Sequence, residues 1–280
     1  MSGASVSVVL PCYNAHRFLG EALESVRRQT VPPLEIIVID DGSTDPETIA
    51  YLAALPDDVR VVQQENRGLA GARNSGFRVA RGDWVLPLDC DDRLAPTMVQ
   101  QCLAAVEATG ASFASAQIAL FGDETGTVHK TFNFFEQLAT NQLPYCLLLR
   151  RDAWLEAGGY DESMRTGYED WEFNIRLGER GYTGIVLDQR LFHYRVSKSG
   201  MLKSVSQRRH AANWRYSQSR HPKLFSWSGL WRVWRVWSSR PSTHPLAAVW
   251  ALIGLHRMLP DRAFNALFFR LHRIGKSPRA

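Results

Sequence analysis

Three acidic stretches, far apart in the chain, carry the residue types that could do chemistry: IIVIDDGSTD over residues 36–45, VLPLDCDD over 85–92 and GYEDWEFNIRL over 167–177. Each presents carboxylates beside an apolar run, and carboxylates so placed handle a cation or a proton. The first two follow continuous apolar segments of strand length that end in turn-forming Asp, Gly and Ser, the mark of a buried strand. Ligands of an open parallel α/β sheet sit beyond the carboxyl ends of its strands. Asp40, Asp41, Asp89, Asp91 and Asp92 are therefore expected to converge on one crevice. A helix following Glu169 and Asp170 would complete it from the other side.

The elements that must position these groups are visible in the hydrophobic pattern. Residues 6–10 (VSVVL) read as a first strand, and Asn14 as the cap of a helix in which Phe18, Leu19, Ala22, Leu23 and Val26 recur at helical spacing. A second strand over 35–39 follows Pro32 and Pro33. Thr44 and Glu47, with Pro46 between them, resemble a capping box for the next helix. A third strand over 59–64, a third helix over 71–80 and a fourth strand over 83–88 continue an alternation that predicts a Rossmann-like, mostly parallel sheet. Beyond Pro96 the order loosens into a helix over 98–108, a strand over 112–120 and a hairpin-like stretch near 122–126, a mixed α/β pattern with no internal repeat.

In order and spacing, VSVVLPCYN, EIIVIDDGSTD, NRGLAGARNSGFRVARGDWVLPLDCDDRLAP and GYDESMRTGYEDWEFNIRLGERGY together resemble the inverting family 2 glycosyltransferases, over residues 6–204. The resemblance implies a GT-A fold, a mixed, mostly parallel sheet flanked by helices; the amphipathic helical tail expected beyond it is read from that segment's own spacing. It implies that Pro11 and Tyr13 line a nucleobase pocket, that Asp41 accepts the base's ring N–H, and that Arg73 approaches the base or phosphates. Asp89 and Asp91 would form a DxD element, with Asp91 as main ligand of Mg²⁺ or Mn²⁺, and Asp170 would be the catalytic base. Glu169, His193 and Arg195 are further candidates, the last with Ser199 to Met201 as a stretch over the diphosphate. The donor would be a nucleotide sugar, with UDP favoured over GDP and dTDP, and the acceptor a glycan or a lipid-linked glycan. The Gln-x-x-Arg-Trp spacing of processive synthases is absent from residues 206–214, which predicts transfer of one or a few sugars.

Elementary electrostatics agrees with those roles. Two unit charges 4 Å apart interact by about 4 kcal/mol at an effective dielectric near 20, so a diphosphate would be repelled by Asp89, Asp91 and Asp92 unless a cation intervened. Oxygen ligands favour a hard cation that also uses the substrate's phosphates. Blander roles compete at each position. Asp40 and Asp41 could form a turn and a cap, Asp89 to Asp92 a solvated loop, Glu169 and Asp170 favourable charge in a helix's first turn, Arg73 a surface ion pair, and His193 a structural histidine among aromatics.

A net charge of +5 hides a split. From Lys203 onward fifteen Lys and Arg face one acid, Asp261, while the preceding chain holds 18 bases and 27 acids. Within the basic tail, Trp227, Leu230, Trp231, Trp234 and Trp237 recur at helical spacing beside Arg232 and Arg235, a stripe suited to a membrane's headgroup region. The stretch 246–255 is about half the length a bilayer span requires. The alternative is that the stripe packs on the body or makes a homodimer. A nucleic-acid role has no other support. Four scattered cysteines without zinc or redox spacing, and an N-terminal apolar run too short for a signal sequence, predict a cytoplasmic protein, peripheral on the membrane's cytoplasmic face. The expected organisation is a nucleotide-sugar half over 1–95, an acceptor and catalytic half over 96–204 and a basic helical tail over 205–280. Two rivals to glycosyl transfer are a metal-dependent nucleotidyltransferase, which would release pyrophosphate, and a membrane-bound scaffold without turnover.

Overall fold

A computed structural model describes residues 4–197 and 207–274; Ser199 and Met201 lie outside the described residues. One mixed sheet runs through the body, in the order β3-β2-β1-β4-β8-β6-β9-β5 with β7 on β6. β1 (Val6–Cys12), β2 (Glu35–Asp40), β3 (Val59–Gln63) and β4 (Trp84–Pro87) are mutually parallel. The second half comprises β5 (Arg93–Leu94), β6 (Phe113–Gly122), β7 (Gly126–Val128), β8 (Leu148–Arg150) and β9 (Gly184–Val196). There β8 joins β4 and β6 antiparallel while β6 and β9 run parallel.

The apolar continuity of the first strands follows from burial on both faces. Val8 and Leu10 of β1 pack with α1 (His16–Arg27) and α4 (Met98–Thr109) through Leu19, Leu23, Met98 and Cys102. Val9, pointing the other way, packs with α3 (Gly68–Val79) and α6 (Arg151–Ala157) through Phe77 and Trp154. Gly76 makes the α3 contact possible: a Cβ there would lie 2.2 Å from Val9 Cγ1. This close seat brings Arg73, one turn earlier, over the ends of β1 and β4.

Two local expectations are corrected. Asn14 does not cap α1: it adopts φ 51°, and its Oδ1 accepts from the backbone N–H groups of Thr44 and Asp45 at 2.9 Å, tying the starts of two helices together. The cap of α2 (Pro46–Ala53) is Asp45, whose side chain accepts from Thr48 N. Pro46 occupies the first turn, which shifts the cap one residue from Thr44.

The tail folds into α8 (His210–Arg220), α9 (Trp227–Trp237), α10 (Leu246–Met258) and α11 (Asp261–Ile274). These share an apolar cluster with α5 (Phe134–Gln137) and α7 (Glu169–Glu179) that includes Trp171, Ile175, Trp214, Leu230, Trp237, Ile253 and Phe264. Polar contacts fasten it as well. His221, raised by Glu172 and Glu179 against the opposing effect of its burial, bridges those two residues of α7 at 3.1 and 2.5 Å. Trp214 Nε1 donates to the carbonyl of Leu138 at 2.9 Å. The stripe's inner side is thus packed on the body, while Trp227 and Trp231 remain 62% and 54% exposed. No helix among the described residues is long and apolar enough to cross a membrane.

Candidate active site

β4 ends in a turn that holds the acidic run Asp89 to Asp92, and the turn is latched from beneath. The Asp89 N–H donates to the Tyr145 hydroxyl at 2.9 Å, and that hydroxyl donates to Asp92 Oδ2 at 2.5 Å. Asp92 Oδ1 accepts from the Arg195 N–H at 2.6 Å. Asp92 is buried, and burial together with Asp91 and Asp89 pushes its carboxyl well above the usual range. It belongs to the latch, and of the five acids expected at the crevice it is buried together with Asp40 and Asp41. Asp89 and Asp91 stay accessible. Burial, then the charge of Asp89, pushes Asp91 up to about 6.

Arg73 is the hub. Its guanidinium is buried, with NH1 donating to Glu169 Oε1 at 2.7 Å and NH2 to both oxygens of Asp89 at 2.8 and 3.0 Å. It lies over the Tyr145 ring, 4.5 Å from the centroid, a cation–π contact. The surface ion pair considered for Arg73 is therefore replaced by a buried bridge joining the β4 turn to the start of α7. Burial opposes the guanidinium's charge, but Asp89 and Glu169 outweigh it and raise the group. Burial pushes Glu169 up to about 7, opposed by Arg73; the 2.7 Å bond from the permanently charged guanidinium favours its ionised form.

Beside Glu169, Asp170 is only partly buried. Its Oδ1 accepts from Trp171 N at 2.7 Å and its Oδ2 from Asn141 Nδ2 at 3.1 Å. Burial raises its carboxyl, opposed by Arg73, these hydrogen bonds and Lys130. Two residues before Asp170, Tyr168 has φ 70°, a left-handed conformation rare outside glycine. Its hydroxyl meets His210 Nδ1 of α8 at 3.0 Å, so the tail helps hold the turn that presents both acids.

At the other end of the crevice Asp41 is buried, accepting from Gln64 Nε2 at 2.6 Å and from the N–H groups of Arg67 and Gly68 at 2.8 Å each. It caps α3 from a distance, with favourable charge at the helix's N-terminus. Asp40 Oδ1 accepts from Ser43 N at 2.9 Å within its own turn. Pro11 is buried in β1, its carbonyl accepting from the Cys90 thiol at 3.0 Å, and Tyr13 is 50% exposed at the lip. Arg195 lies against the acidic turn, with Nε donating to the Asp91 carbonyl at 2.8 Å and its guanidinium 4.4 Å from the Phe18 centroid. His193 pairs across strands with Arg93; burial, Arg93 and Arg190 lower it.

The profile described as "Glycosyl transferase family 2" matches residues 7–169, a segment that carries every one of these groups up to Glu169. The chain belongs to glycosyltransferase family 2. Among curated relatives it is 31% identical over 172 residues to "Glycosyltransferase GlyG" of Streptococcus pneumoniae, covering 60% of this chain and 52% of that protein. It is 39% identical over 111 residues to "Succinoglycan biosynthesis protein ExoO" of Rhizobium meliloti, covering 39% of this chain and 32% of that one. The chain thus spans about half or less of the length of these relatives. Of solved structures, S. aureus TarS 1-349 in complex with UDP-GlcNAc superposes with a TM-score of 0.63 at 19% identity, covering 76% of this chain and 65% of that one. That likeness shows the GT-A fold.

Arg73, Asp89, Asp91, Glu169 and Asp170, all singled out by the sequence motifs, interact with one another through hydrogen bonds or charge, while Asp41 is held separately by Gln64, Arg67 and Gly68. Tyr145, Asn141, Gln64 and Lys130 were not legible as site residues. Gln64 could have been suspected from its place at the end of β3, beside the turn after β2. The other three come from residues 129–147, where no strand or helix period flags them.

Proposed function

We propose that this family 2 glycosyltransferase moves a sugar from a nucleoside-diphosphate sugar to a hydroxyl of a glycan or lipid-linked acceptor, with inversion, in surface polysaccharide or glycolipid synthesis. The observation that carries the reading is the Arg73 bridge: one buried guanidinium binds Asp89 on the donor side and Glu169, neighbour of Asp170, on the acceptor side. It fixes the two ends of a transfer reaction relative to one another, a form of orientation that lowers the entropic part of the barrier. Relatives named for succinoglycan biosynthesis and chondroitin synthesis support a polysaccharide product. The TarS complexes with UDP-GlcNAc and UDP support a UDP-sugar donor.

Within this reading Tyr13 and Asp41 receive the base, and Asp170 takes the proton of the attacking hydroxyl. Asp89 and Asp91 would hold Mg²⁺ or Mn²⁺, and their chemistry fits: two carboxylates of one turn, with Asp91 pushed up by burial and then by the charge of Asp89, are relieved by a divalent cation. Among the described residues no group of three or more His, Cys, Asp or Glu is set to hold a metal, so phosphate and water oxygens would complete the shell. The bound ion would supply charge stabilisation to the departing nucleoside diphosphate.

Calorimetric titration of UDP with and without Mn²⁺, beside GDP and dTDP, tests the donor site. UDP is expected to bind in a metal-dependent way, and Asp91→Ala to lose the metal-dependent part. Equal binding with and without Mn²⁺ would remove Asp91 from the role of metal ligand. Release of nucleoside diphosphate from a sugar donor, with no pyrophosphate from a nucleoside triphosphate, separates transfer from nucleotidyl chemistry.

The same proposal places the chain peripherally on the cytoplasmic face of an anionic membrane. Trp227 and Trp231 stand out from α9, with Arg232 and Arg235 also exposed and the Arg257 guanidinium 4.4 Å from the Trp227 centroid. Aromatic rings and cations on one face suit a headgroup layer, where each base contributes about 1 kcal/mol. In sedimentation with vesicles, the protein should bind those containing anionic lipid and not neutral ones, and the pair Trp227→Ser and Trp231→Ser should weaken binding at least tenfold. Undiminished binding by that variant would exclude α9 as the contact.

A further inference from the structure

Between β7 and β8, residues 129–147 pass beside Asp170 and contain a chain of amides whose orientations are determined. The Gln142 N–H donates to Gln137 Oε1 at 2.7 Å, which leaves the Gln137 amide nitrogen free to donate. Gln137 Nε2 donates to Asn141 Oδ1 at 3.0 Å. Asn141 Nδ2 in turn donates to Asp170 Oδ2 at 3.1 Å. A backbone N–H cannot accept, so each amide along the relay has one consistent direction, and it ends with a donor aimed at the carboxylate. The Gln137 carbonyl accepts from Trp171 Nε1 at 2.7 Å, which fastens the relay to α7 itself.

Lys130 stands beside this relay. Its Nζ donates to the Asn141 carbonyl at 2.6 Å. Its backbone is clamped by Gln117, whose Oε1 accepts from Lys130 N at 2.6 Å and whose Nε2 donates to the Lys130 carbonyl at 3.0 Å. Gln117 lies at the register shift between β6 and β9, where the strand irregularity re-aims a side chain. An ammonium so enclosed has a cost unless an anion answers it. Burial lowers Lys130 to about 8, with Asp170 and Glu136 drawing it back up. The other charged or titratable groups around Asp170 are Arg73 from α3, Glu169 on its own helix, and the tyrosines Tyr160, Tyr168 and Tyr194. Arg73 is already committed to Asp89 and Glu169. Glu136, across from Lys130, accepts from the N–H groups of Thr243 and His244 at 2.9 and 2.8 Å.

We propose that Asn141 and Lys130 are positioning residues for Asp170: Asn141 aims the carboxylate, and Lys130 supplies the positive charge that keeps it an ionised acceptor of the hydroxyl proton. The inference rests on the reading of Asp170 as the base. Both partners favour the anion, so loss of either raises the pH at which Asp170 ionises. The effect operates below about pH 8, where Lys130 holds its proton.

The test is carboxyl ¹³C NMR of the full chain labelled at aspartate, with the Asp170 signal assigned by its loss in Asp170→Asn and followed against pH. Lys130→Met and Asn141→Ala should each shift the Asp170 midpoint upward, and Lys130→Arg should return it towards wild type. A midpoint unchanged in Lys130→Met, in protein of wild-type melting temperature, would overturn the charge role. An unchanged midpoint in Asn141→Ala would overturn the other half, and that variant also serves if Lys130→Met does not fold. The titration needs no turnover. Its failure is therefore distinct from failure of the base reading, which full activity of Asp170→Asn would signal.

Discussion

Asp170→Asn is expected to leave nucleotide binding intact and to lower the rate of glycosyl transfer by about 10²- to 10⁴-fold. The substitution keeps the size of the side chain and removes the basic oxygen, while the donor end of the crevice, built from Asp41, Asp89 and Asp91, is untouched. The wild-type pH profile carries the same information. Burial raises the Asp170 carboxyl, so activity should fall as pH drops through a value above the ordinary aspartate range near 3.9, because the protonated acid cannot take the hydroxyl's proton. In Asp170→Asn the residual activity should lack that acid limb. Transfer at the wild-type rate, or an unchanged acid limb, would eliminate Asp170 as the base and transfer attention to Glu169. That neighbour is the weaker candidate on geometry, since its Oε1 is taken by Arg73 at 2.7 Å.

Arg73→Met should destabilise the protein by about 3–5 kcal/mol, the magnitude found when one partner of a buried ion pair is removed and the other is left uncompensated. Glu169 is 5% exposed and the arginine it pairs with 1%, so water cannot replace the lost guanidinium. The remaining carboxylates would repel or take up protons. Urea denaturation measures the loss. Combining Arg73→Met with Glu169→Gln should recover part of it, because the second change removes the stranded charge. Arg73→Lys should recover only part of the stability, since one ammonium cannot reproduce a planar fork reaching Glu169 and Asp89 together. If Arg73→Met costs under ~1 kcal/mol, the bridge is not what joins the two ends of the site.

Both predictions concern residues whose importance was legible in the chain, although their partners were not. Asp170 is conspicuous because an acidic pair opens a helix after the turn at Gly167, yet nothing in the segment 129–147 announces that Asn141 will meet it with Lys130 alongside. Arg73 reads as one face of an amphipathic helix. Its burial depends on Gly76, one turn on, letting α3 settle against Val9, a contact between residues 67 positions apart. Asp92 illustrates the reverse: it belongs to the acidic run by type and spacing, but the structure turns it inward onto Tyr145 and the Arg195 backbone.

The sequence by itself determined the four parallel strands and their helices, the turns where the acids emerge, and the family, because hydrophobic period and turn chemistry are local and each motif is one continuous run of the chain. It also determined the α9 stripe, since helical spacing of tryptophans is a property of the segment alone. Which side of that stripe packs on α5 and α7, and which side remains exposed, was decided only by the tertiary structure. So were the insertion of β8 beside β4, the Arg73 bridge and the amide relay to Asp170. Each of these joins groups from elements distant in the chain, and their pairing is set by packing of the whole sheet, which no local period encodes.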